Sequence, residues 1–355
     1  MRPARAGRRS RRRLPARGRE TVRGSRPGRP GGGRPATLSH RATRLAWEQS
    51  GLPHVAERVG ADVIHLPTYT MPVGVGLPTV VTIHDVTLFA EPELHDPVRT
   101  SYIKSATRSA ARRATRLIAP SRATRDELVR ILGADPSHID VAYHGVDHEV
   151  FHRPSEAEIK HVSDRLGLHG RPYVAYLGAL EPRKNVPSLI RGWVQACAGR
   201  PDAPALVLAG GGGWDDEVDA ALATVPLELR VLRPGYLPWS ALPGFFGGAL
   251  VVALPSRGEG FGLPVLEAMS CGAPVLTTHR GPLPEVGGDA VEYTEPDPAG
   301  IADALTALMD DPPRRAELAE AAHARSQKFS WQASAEAHLA SYQRAVDQYA
   351  APRSH

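Results

Sequence analysis

The chain has 355 residues, of which 42% are hydrophobic and 23% are charged, a composition typical of soluble globular proteins with room for two domains. No apolar run approaches the eighteen residues that a membrane-spanning helix needs, and Cys197 and Cys271 are too few for a disulfide framework. These features argue against an integral membrane protein and a disulfide-stabilised secreted domain, and we expect a cytoplasmic protein.

The net charge of +5 is unevenly distributed along the chain. Residues 1–35 contain thirteen arginines and one glutamate, a net charge of +12, so the rest of the chain carries −7. Residues 1–36 lack hydrophobic periodicity, and we interpret them as a disordered Arg/Gly/Pro-rich tail. This tail is either an arm for RNA, DNA or anionic lipid or an incidental extension, and we favour the extension. A nucleic-acid partner is therefore not expected.

Strand and helix patterns alternate in the first half of the chain, which predicts a parallel, doubly wound sheet. The predicted helices span 45–59, 98–115 and 121–132, and the predicted strands span 61–66, 78–83, 116–119 and 139–143. The second strand ends in His84 and Asp85, at the carboxyl edge where open α/β sheets bind ligands. This position favours a function for His84. Asp85 either orients His84 or a bound substrate, or caps the following helix.

A second alternation begins after a linker near 151–155. The predicted strands span 173–177, 205–208, 229–232, 250–254, 274–278 and 290–293, and the predicted helices span 186–198, 215–223, 264–271, 298–309, 313–328 and 330–349. The pattern predicts two Rossmann-like domains that face each other across a cleft, at 37–152 and 153–329. A C-terminal helix at 330–350 is expected to pack back on the N-terminal domain.

The strongest motif lies at 254–278, where strand, glycine loop, helix and strand form a βαβ unit. Its loop presents free backbone N–H groups at the positive end of a helix, which suits a phosphate. Glu259 precedes the loop and Glu267 lies one turn into the helix, so they can accept hydrogen bonds from hydroxyls on either side of that phosphate. A nucleotide sugar has this layout, with ribose and hexose flanking a diphosphate.

The string EGFGLPVLEAMSCGAPV resembles the E-x7-E signature of the retaining glycosyltransferases of family 4, which have the two-domain GT-B fold. The resemblance runs from about Leu45 to Tyr349 and includes TIHD, APSRATRDEL, HGVD, LGALEPRKN and FSW, which look like the mannosyltransferase-like branch. Members of the family begin with a strand, a glycine-rich loop and a helix that face the acceptor. No such pattern precedes Leu45, so we expect an incomplete N-terminal domain, through a start-site artefact or through loss of the first βα units.

The resemblance implies a hexosyltransferase that acts with retention and without a metal or other cofactor. The expected donor is a nucleotide sugar, with GDP-mannose favoured, and the expected acceptor is a glycan or lipid-linked glycan, which allows peripheral membrane association. The implied catalytic residues are His84, Arg183, Lys184 and Glu259. In these roles, Arg183 and Lys184 neutralise the departing diphosphate, Glu259 faces the hexose, and His84 projects toward the donor sugar.

The resemblance also implies a set of donor-binding residues. Backbone N–H groups come from the glycine loop, Glu267 holds the ribose hydroxyls, and two further glycines follow neighbouring strands; the full set is Gly178, Gly210, Gly260, Phe261, Gly262, Leu263 and Glu267. For the glycine run at 210–213 a plain turn is an equal interpretation. For Arg183 and Lys184 the alternative is a solvated basic turn.

Two other classes of protein remain as alternatives. The first is a catalytically impaired, glycosyltransferase-like partner subunit that stabilises an active enzyme. The second is a nucleic-acid-associated protein that acts through the arginine-rich tail. Because no Asp-x-Asp pair stands at a strand end, we expect no metal site.

Overall fold

The structure, a computed structural model, describes residues 46–90, 92 and 97–351. The tail predicted at 1–36 lies outside the described residues. Two parallel sheets, one in each of two lobes, belong to a single compact unit that begins at Ala46.

The first lobe is built on a four-stranded parallel sheet in the order β1-β2-β3-β4. The strands are β1 (Ile64–Leu66), β2 (Thr79–Thr82), β3 (Arg116–Ala119) and β4 (Ile139–Val141). The helices are α1 (Leu52–Arg58), α2 (Thr87–Ala90), α3 (Pro97–Arg113) and α4 (Arg122–Leu132), with a π-helical turn at Trp47–Gly51 and a 3-10 turn at Pro136–His138. Every residue of β2 and β3 is buried, as expected for strands covered on both faces.

The second lobe is built on a six-stranded parallel sheet in the order β10-β9-β8-β5-β6-β7. The strands are β5 (Tyr173–Leu177), β6 (Ala205–Ala209), β7 (Val231–Gly235), β8 (Val251–Leu254), β9 (Val275–Thr278) and β10 (Glu292–Thr294). The helices are α5 (Glu156–Arg165), α6 (Val186–Cys197), α7 (Glu217–Leu222), α8 (Leu242–Gly247), α9 (Leu263–Ser270), α10 (Leu283–Gly287), α11 (Pro298–Asp310) and α12 (Pro312–Ser326). A last helix, α13 (Trp331–Ala350), follows them.

The strand order of the second sheet reverses between β5 and β8. From β5 the sheet continues through β6 and β7 toward one edge, and β8, β9 and β10 continue from the other side of β5 toward the opposite edge. The loops that follow the neighbouring strands β5 and β8 therefore leave in opposite directions. A crevice therefore opens at their carboxyl ends, which is where doubly wound sheets bind ligands.

The two parallel sheets confirm the predicted α/β class. Three helices of the second lobe were not predicted: α5, α8 and α10. Helix α5 carries a capping box between Ser155 and Glu158, a signal that is visible in the sequence. Helices α8 and α10 have only six and five residues and each contains proline and glycine, so they lack a helical hydrophobic period. None of the helices within the described ranges combines the length and apolar character that crossing a membrane requires.

Helix α13 returns to the first lobe and packs on β2, β3 and β4. Where the helix meets the sheet, Asp140 of β4 forms a bidentate ion pair with Arg116, with N–O distances of 2.6 and 2.8 Å. Asp140 also accepts a hydrogen bond from Ser341 of α13 at 2.7 Å. Burial alone would raise the pKa of Asp140, but the hydrogen bonds from Arg116 and Ser341 outweigh it and hold that pKa below its ordinary value. This buried pair ties the C-terminal helix to the first sheet.

Replacement of Asp140 by asparagine is expected to lower the free energy of unfolding by about 3 kcal/mol, because it leaves the buried Arg116 charge without its partner. Urea denaturation followed by circular dichroism measures the loss. The matched control is Asp164→Asn, which breaks the exposed i,i+4 pair with Lys160 and is expected to leave stability close to that of the wild type. Equal losses in the two variants would contradict a structural role for the Asp140 pair.

Candidate active site

The crevice between β5 and β8 is bordered by a 3-10 turn, Pro182–Lys184, and by the loop at 255–262. Asn185 ends the turn in the left-handed conformation, with φ of 59°. Its side-chain amide donates to the carbonyl oxygens of Pro255 and Pro296, at 3.2 and 2.6 Å, and the Arg257 N–H donates to the Arg183 carbonyl oxygen at 2.8 Å. Turn and loop are thus fixed to each other although about 75 residues separate them in the chain.

Arg183, Lys184 and Glu259 form one charged cluster at this crevice. Lys184 Nζ donates to Glu259 Oε1 at 2.5 Å, and Arg183 Nη1 donates to Glu259 Oε2 at 3.0 Å. Ser256 Oγ donates to the same Oε1 at 2.8 Å. Burial would raise the pKa of Glu259, but the charges of Lys184 and Arg183 and these hydrogen bonds overcome it and depress the pKa. Glu259 is therefore held as a carboxylate.

The cations of this cluster retain hydrogen-bond capacity. Arg183 uses Nε for Glu181 and Nη1 for Glu259, so within the described part of the chain Nη2 has no acceptor. Lys184 Nζ makes one hydrogen bond, which leaves two of its three hydrogens. Lys184 is only 8% exposed, so its own side chain is not a solvated one.

The glycine loop approaches the first lobe so closely that a side chain does not fit. A Cβ on Gly260 would lie 1.9 Å from the carbonyl oxygen of His84. Gly262 has φ of 98°, a conformation that favours glycine, and precedes the first residue of α9, Leu263. The N–H groups of Gly260, Phe261, Gly262 and Leu263 donate to no acceptor among the described residues, so they are available to an anion. The Phe261 ring is buried and packs edge-on against His144, with ring centroids 5.1 Å apart.

Glu267, on α9, contrasts with Glu259. Its carboxyl group is partly buried and has no hydrogen-bond or ion-pair partner in the ranges that the structure describes. Burial raises the pKa of Glu267 to about 7, from an ordinary value of 4.5. A carboxyl group in this state is ready to accept hydrogen bonds from a ligand's hydroxyls.

His84 follows β2 in the first lobe, and its backbone carbonyl lies against Gly260 of the loop. Its Nε2 is 2.7 Å from the carbonyl oxygen of Pro67, and because a carbonyl only accepts, Nε2 carries the proton. In the neutral ring Nδ1 is then an acceptor. Asp85 does not contact His84: one oxygen accepts from the Thr87 N–H and hydroxyl, and the other accepts from the Tyr69 hydroxyl at 2.9 Å. The local capping role is therefore the one that the structure gives to Asp85.

Gly178 and Gly210 follow adjacent strands and lie against each other. The Gly178 N–H donates to the carbonyl oxygen of Ala209 at 3.0 Å, and a Cβ on Gly210, where φ is 126°, would lie 2.1 Å from the Gly178 carbonyl oxygen. Close backbone packing thus requires glycine at 210, and this gives the run at 210–213 a structural reason of its own.

Several residues of the site were not identified from the sequence. Ser256 supports Glu259, Glu181 supports Arg183, and Tyr69 holds Asp85. The residue at Tyr69 adopts a left-handed conformation, with φ of 54°, which is uncommon for a residue other than glycine. Ser256 and Glu181 lie within three residues of the side chains that they support, so a local pattern could have found them, whereas the Tyr69 contact depends on the tertiary fold. In the part of the chain that the structure describes, no three His, Cys, Asp or Glu side chains converge as metal ligands would.

Comparison with protein families gives two matches. Residues 159–325 match the family described as glycosyl transferases group 1, and residues 6–150 match the one described as glycosyltransferase family 4. The second match begins at residue 6, so it extends the similarity beyond the start near Leu45 that the motifs indicated.

Two relatives illustrate the similarity in sequence. The O-antigen chain mannosyltransferase B of Escherichia coli is 32% identical over 256 residues, 71% of this chain and 67% of that protein. The D-inositol 3-phosphate glycosyltransferase of an Arthrobacter species is 35% identical over 243 residues, 66% of this chain. The chain spans little more than half, 57%, of this second relative.

Solved structures share the fold. The Anabaena protein HepE in complex with UDP and glucose superimposes with a TM-score of 0.70 at 23% identity, over 85% of this chain and 82% of that one. The two-domain GT-B arrangement predicted from the motifs is thereby confirmed.

The state of Glu267 predicts how stability depends on pH. Because its folded pKa, about 7, exceeds the ordinary 4.5, the folded protein binds more protons than the unfolded chain between these values, and stability falls as the pH rises through that interval. Glu267→Gln removes this cost. We expect it to raise the free energy of unfolding by about 1–3 kcal/mol at pH 8 and to leave it nearly unchanged at pH 4.5.

Chemical denaturation of both proteins at the two pH values measures the difference. The matched control is Glu295→Gln, an exposed glutamate of the same lobe, which is expected to change stability by less than about 0.5 kcal/mol at either pH. A gain from Glu267→Gln that is the same at pH 4.5 and pH 8 would refute the raised pKa.

Proposed function

The chain belongs to the glycosyltransferases of group 1 and family 4, and on that premise we propose that it transfers a hexosyl group from a nucleotide sugar to a glycan or glycolipid acceptor. The observation that supports the proposal most directly is the cluster of Arg183, Lys184 and Glu259 beside the free N–H groups of the glycine loop. The transfer proceeds with retention at the anomeric carbon, by attack on the face that the nucleotide leaves, and needs no metal ion.

The diphosphate of the donor binds at the mouth of the glycine loop. There Arg183 Nη2 and the remaining Lys184 hydrogens meet its oxygens, together with the N–H groups at the start of α9. Charge that develops on the departing diphosphate is stabilised by donors already fixed in place, so little reorganisation is needed as the bond breaks. The ion pairs to Glu259 and Glu181 hold Arg183 in position before the donor arrives.

The two glutamates hold the groups that flank the diphosphate. Glu267, which lacks a partner among the described residues, accepts hydrogen bonds from the ribose hydroxyls, so donor binding offsets the cost of keeping this carboxyl group in a partly buried place. Glu259 faces the hexose with the oxygen lone pairs that its three donors leave free. His84 approaches the hexose from the first lobe through Nδ1.

The donor that we place first is GDP-mannose, because a relative of which the chain covers 67% at 32% identity is named a mannosyltransferase. A UDP sugar is the competing donor, since the Anabaena protein was solved with UDP and glucose. The acceptor is a glycan or a lipid-linked glycan, and a lipid-linked acceptor would bring the enzyme to the cytoplasmic face of a membrane.

Isothermal titration with GDP, UDP and GDP-mannose tests the donor site. Arg183→Ala is expected to weaken nucleoside-diphosphate binding about 10- to 100-fold, because it removes charge-assisted hydrogen bonds to phosphate. Glu267→Gln is expected to weaken it about 10-fold, because the amide retains only one acceptor oxygen. The matched control is Arg191→Ala, a partly exposed arginine of the same lobe that pairs with Glu217, which should bind as the wild type does.

The role of His84 is separated from binding by a second measurement. His84→Ala is expected to keep the dissociation constant for the nucleoside diphosphate within about threefold while transfer falls about 100-fold. Transfer is measured as the radioactive sugar that moves from a labelled donor to acceptors in a glycolipid or glycan extract. Failure of the wild type to bind either GDP or UDP would overturn the proposed function, and binding without transfer would favour the non-catalytic partner subunit.

A further inference from the structure

Glu285 belongs to the second lobe and directs both carboxylate oxygens at the first lobe. Its Oε1 accepts from the Ala123 N–H at 2.6 Å, and its Oε2 accepts from the Arg122 N–H at 3.0 Å and from the Tyr143 hydroxyl at 2.7 Å. The Arg122 guanidinium adds an ion pair at 3.3 Å. All of these donors lie on α4 or just after β4, and the Glu285 side chain is only 13% exposed.

The two N–H groups belong to the first turn of α4, where a helix has no internal acceptors. Ser121, the N-cap, accepts from the Thr124 N–H through its side chain, so the helix covers one of its own free donors. The N–H groups of Arg122 and Ala123 depend instead on a residue about 160 positions away. A carboxylate at this helix end is also favoured by the helix dipole.

The N-terminal end of α4 also contacts the glycine loop. The hydroxyls of Ser121 and Thr124 lie 3.0 and 3.1 Å from the carbonyl oxygen of Gly260, which in turn lies against the backbone of His84. Glu285 therefore reinforces the junction at which the loop beside Glu259 meets the first lobe.

Glu285 is itself held rigidly on its own lobe. Arg325 of α12 donates to the carbonyl oxygens of Val286 and Glu285, at 2.6 and 2.8 Å, and so braces helix α10 from behind. The chain passes between the lobes near Val146 and again near Ser330, and a parallel β-bridge joins these two residues. The lobes are thus joined at a chain crossing and, independently, at Glu285.

We propose that Glu285 is an interlobe latch: its carboxylate, bound to the start of α4 and to Tyr143, holds the cleft closed over the glycine loop. When the latch opens, the loop separates from His84 and substrates can enter or leave, a step on which the proposed transfer function depends. Glu285 acts on the reaction only by positioning, because its contacts are with protein groups.

Glu285→Gln tests the latch on the ligand-free chain. The side chain keeps its shape, but its amide presents N–H groups to donors that need an acceptor. We expect the amides at 121–126 to exchange hydrogen about 10- to 100-fold faster, and the radius of gyration measured by X-ray scattering to increase. The amides of β8 should exchange as in the wild type, because the core of the second lobe is unchanged.

Two further variants make the test specific. Glu292→Gln is the matched control, since Glu292 pairs with Arg314 of its own lobe at 3.2 Å and should leave exchange at 121–126 and the radius unchanged. Tyr143→Phe keeps the ring but removes one donor to Glu285, so exchange at 121–126 should rise only a few-fold. If Glu285→Gln is recovered unfolded, Tyr143→Phe carries the test.

Wild-type exchange at 121–126 and a wild-type radius in Glu285→Gln would overturn the latch. Faster exchange at 121–126 that is matched by equally faster exchange in β8 would also overturn it, because it would report general destabilisation. Neither readout uses a nucleotide. If the Glu285→Gln protein opens but binds neither GDP nor UDP, the latch is supported and the proposed function is refuted. If it binds these nucleotides but stays closed, only the latch is refuted.

Discussion

The arrangement of the site depends on one electrostatic constraint, the burial of the Glu259 carboxylate. A desolvated anion is tolerated only where cations and hydrogen-bond donors compensate it, and Lys184, Arg183 and Ser256 do so within 3.0 Å. Those partners can meet only if the turn after β5 and the loop after β8 leave neighbouring strand ends. The reversal of strand order thus creates the crevice and also brings together the charges that line it.

A second constraint is steric and fixes the first lobe relative to this cluster. The backbone of Gly260 packs against the backbone of His84 at a distance that excludes any Cβ. The same contact places the residue that follows β2 in the first lobe against the loop that carries Glu259 in the second. Glycine in this loop therefore has two structural effects: it leaves backbone N–H groups uncovered by side chains, and it lets the lobes approach each other.

Much of the candidate site in the second lobe could be predicted from the sequence because its motifs are local. The glycine loop, Glu259 and Glu267 lie within nine residues, and Arg183 and Lys184 follow a strand whose position the hydrophobic pattern reveals. Glu285 was missed because the N–H groups that donate to its carboxylate lie about 160 residues away in the chain, and no local period reports such a contact. Helices of six or fewer residues with an internal proline, such as α8, were missed because they are too short to show a helical hydrophobic period.

The two glutamates of the motif have the same side chain and opposite environments. Glu259 is surrounded by donors that depress its pKa, whereas Glu267 has only burial, which raises its pKa to about 7. The hydrogen bonds and ion pairs of Glu259 all come from the protein itself, so its carboxylate is stabilised without a ligand. Glu267 costs stability in the ligand-free protein, and a group kept at such a cost next to a loop with unpaired N–H groups is what the proposed ligand-binding role of Glu267 requires.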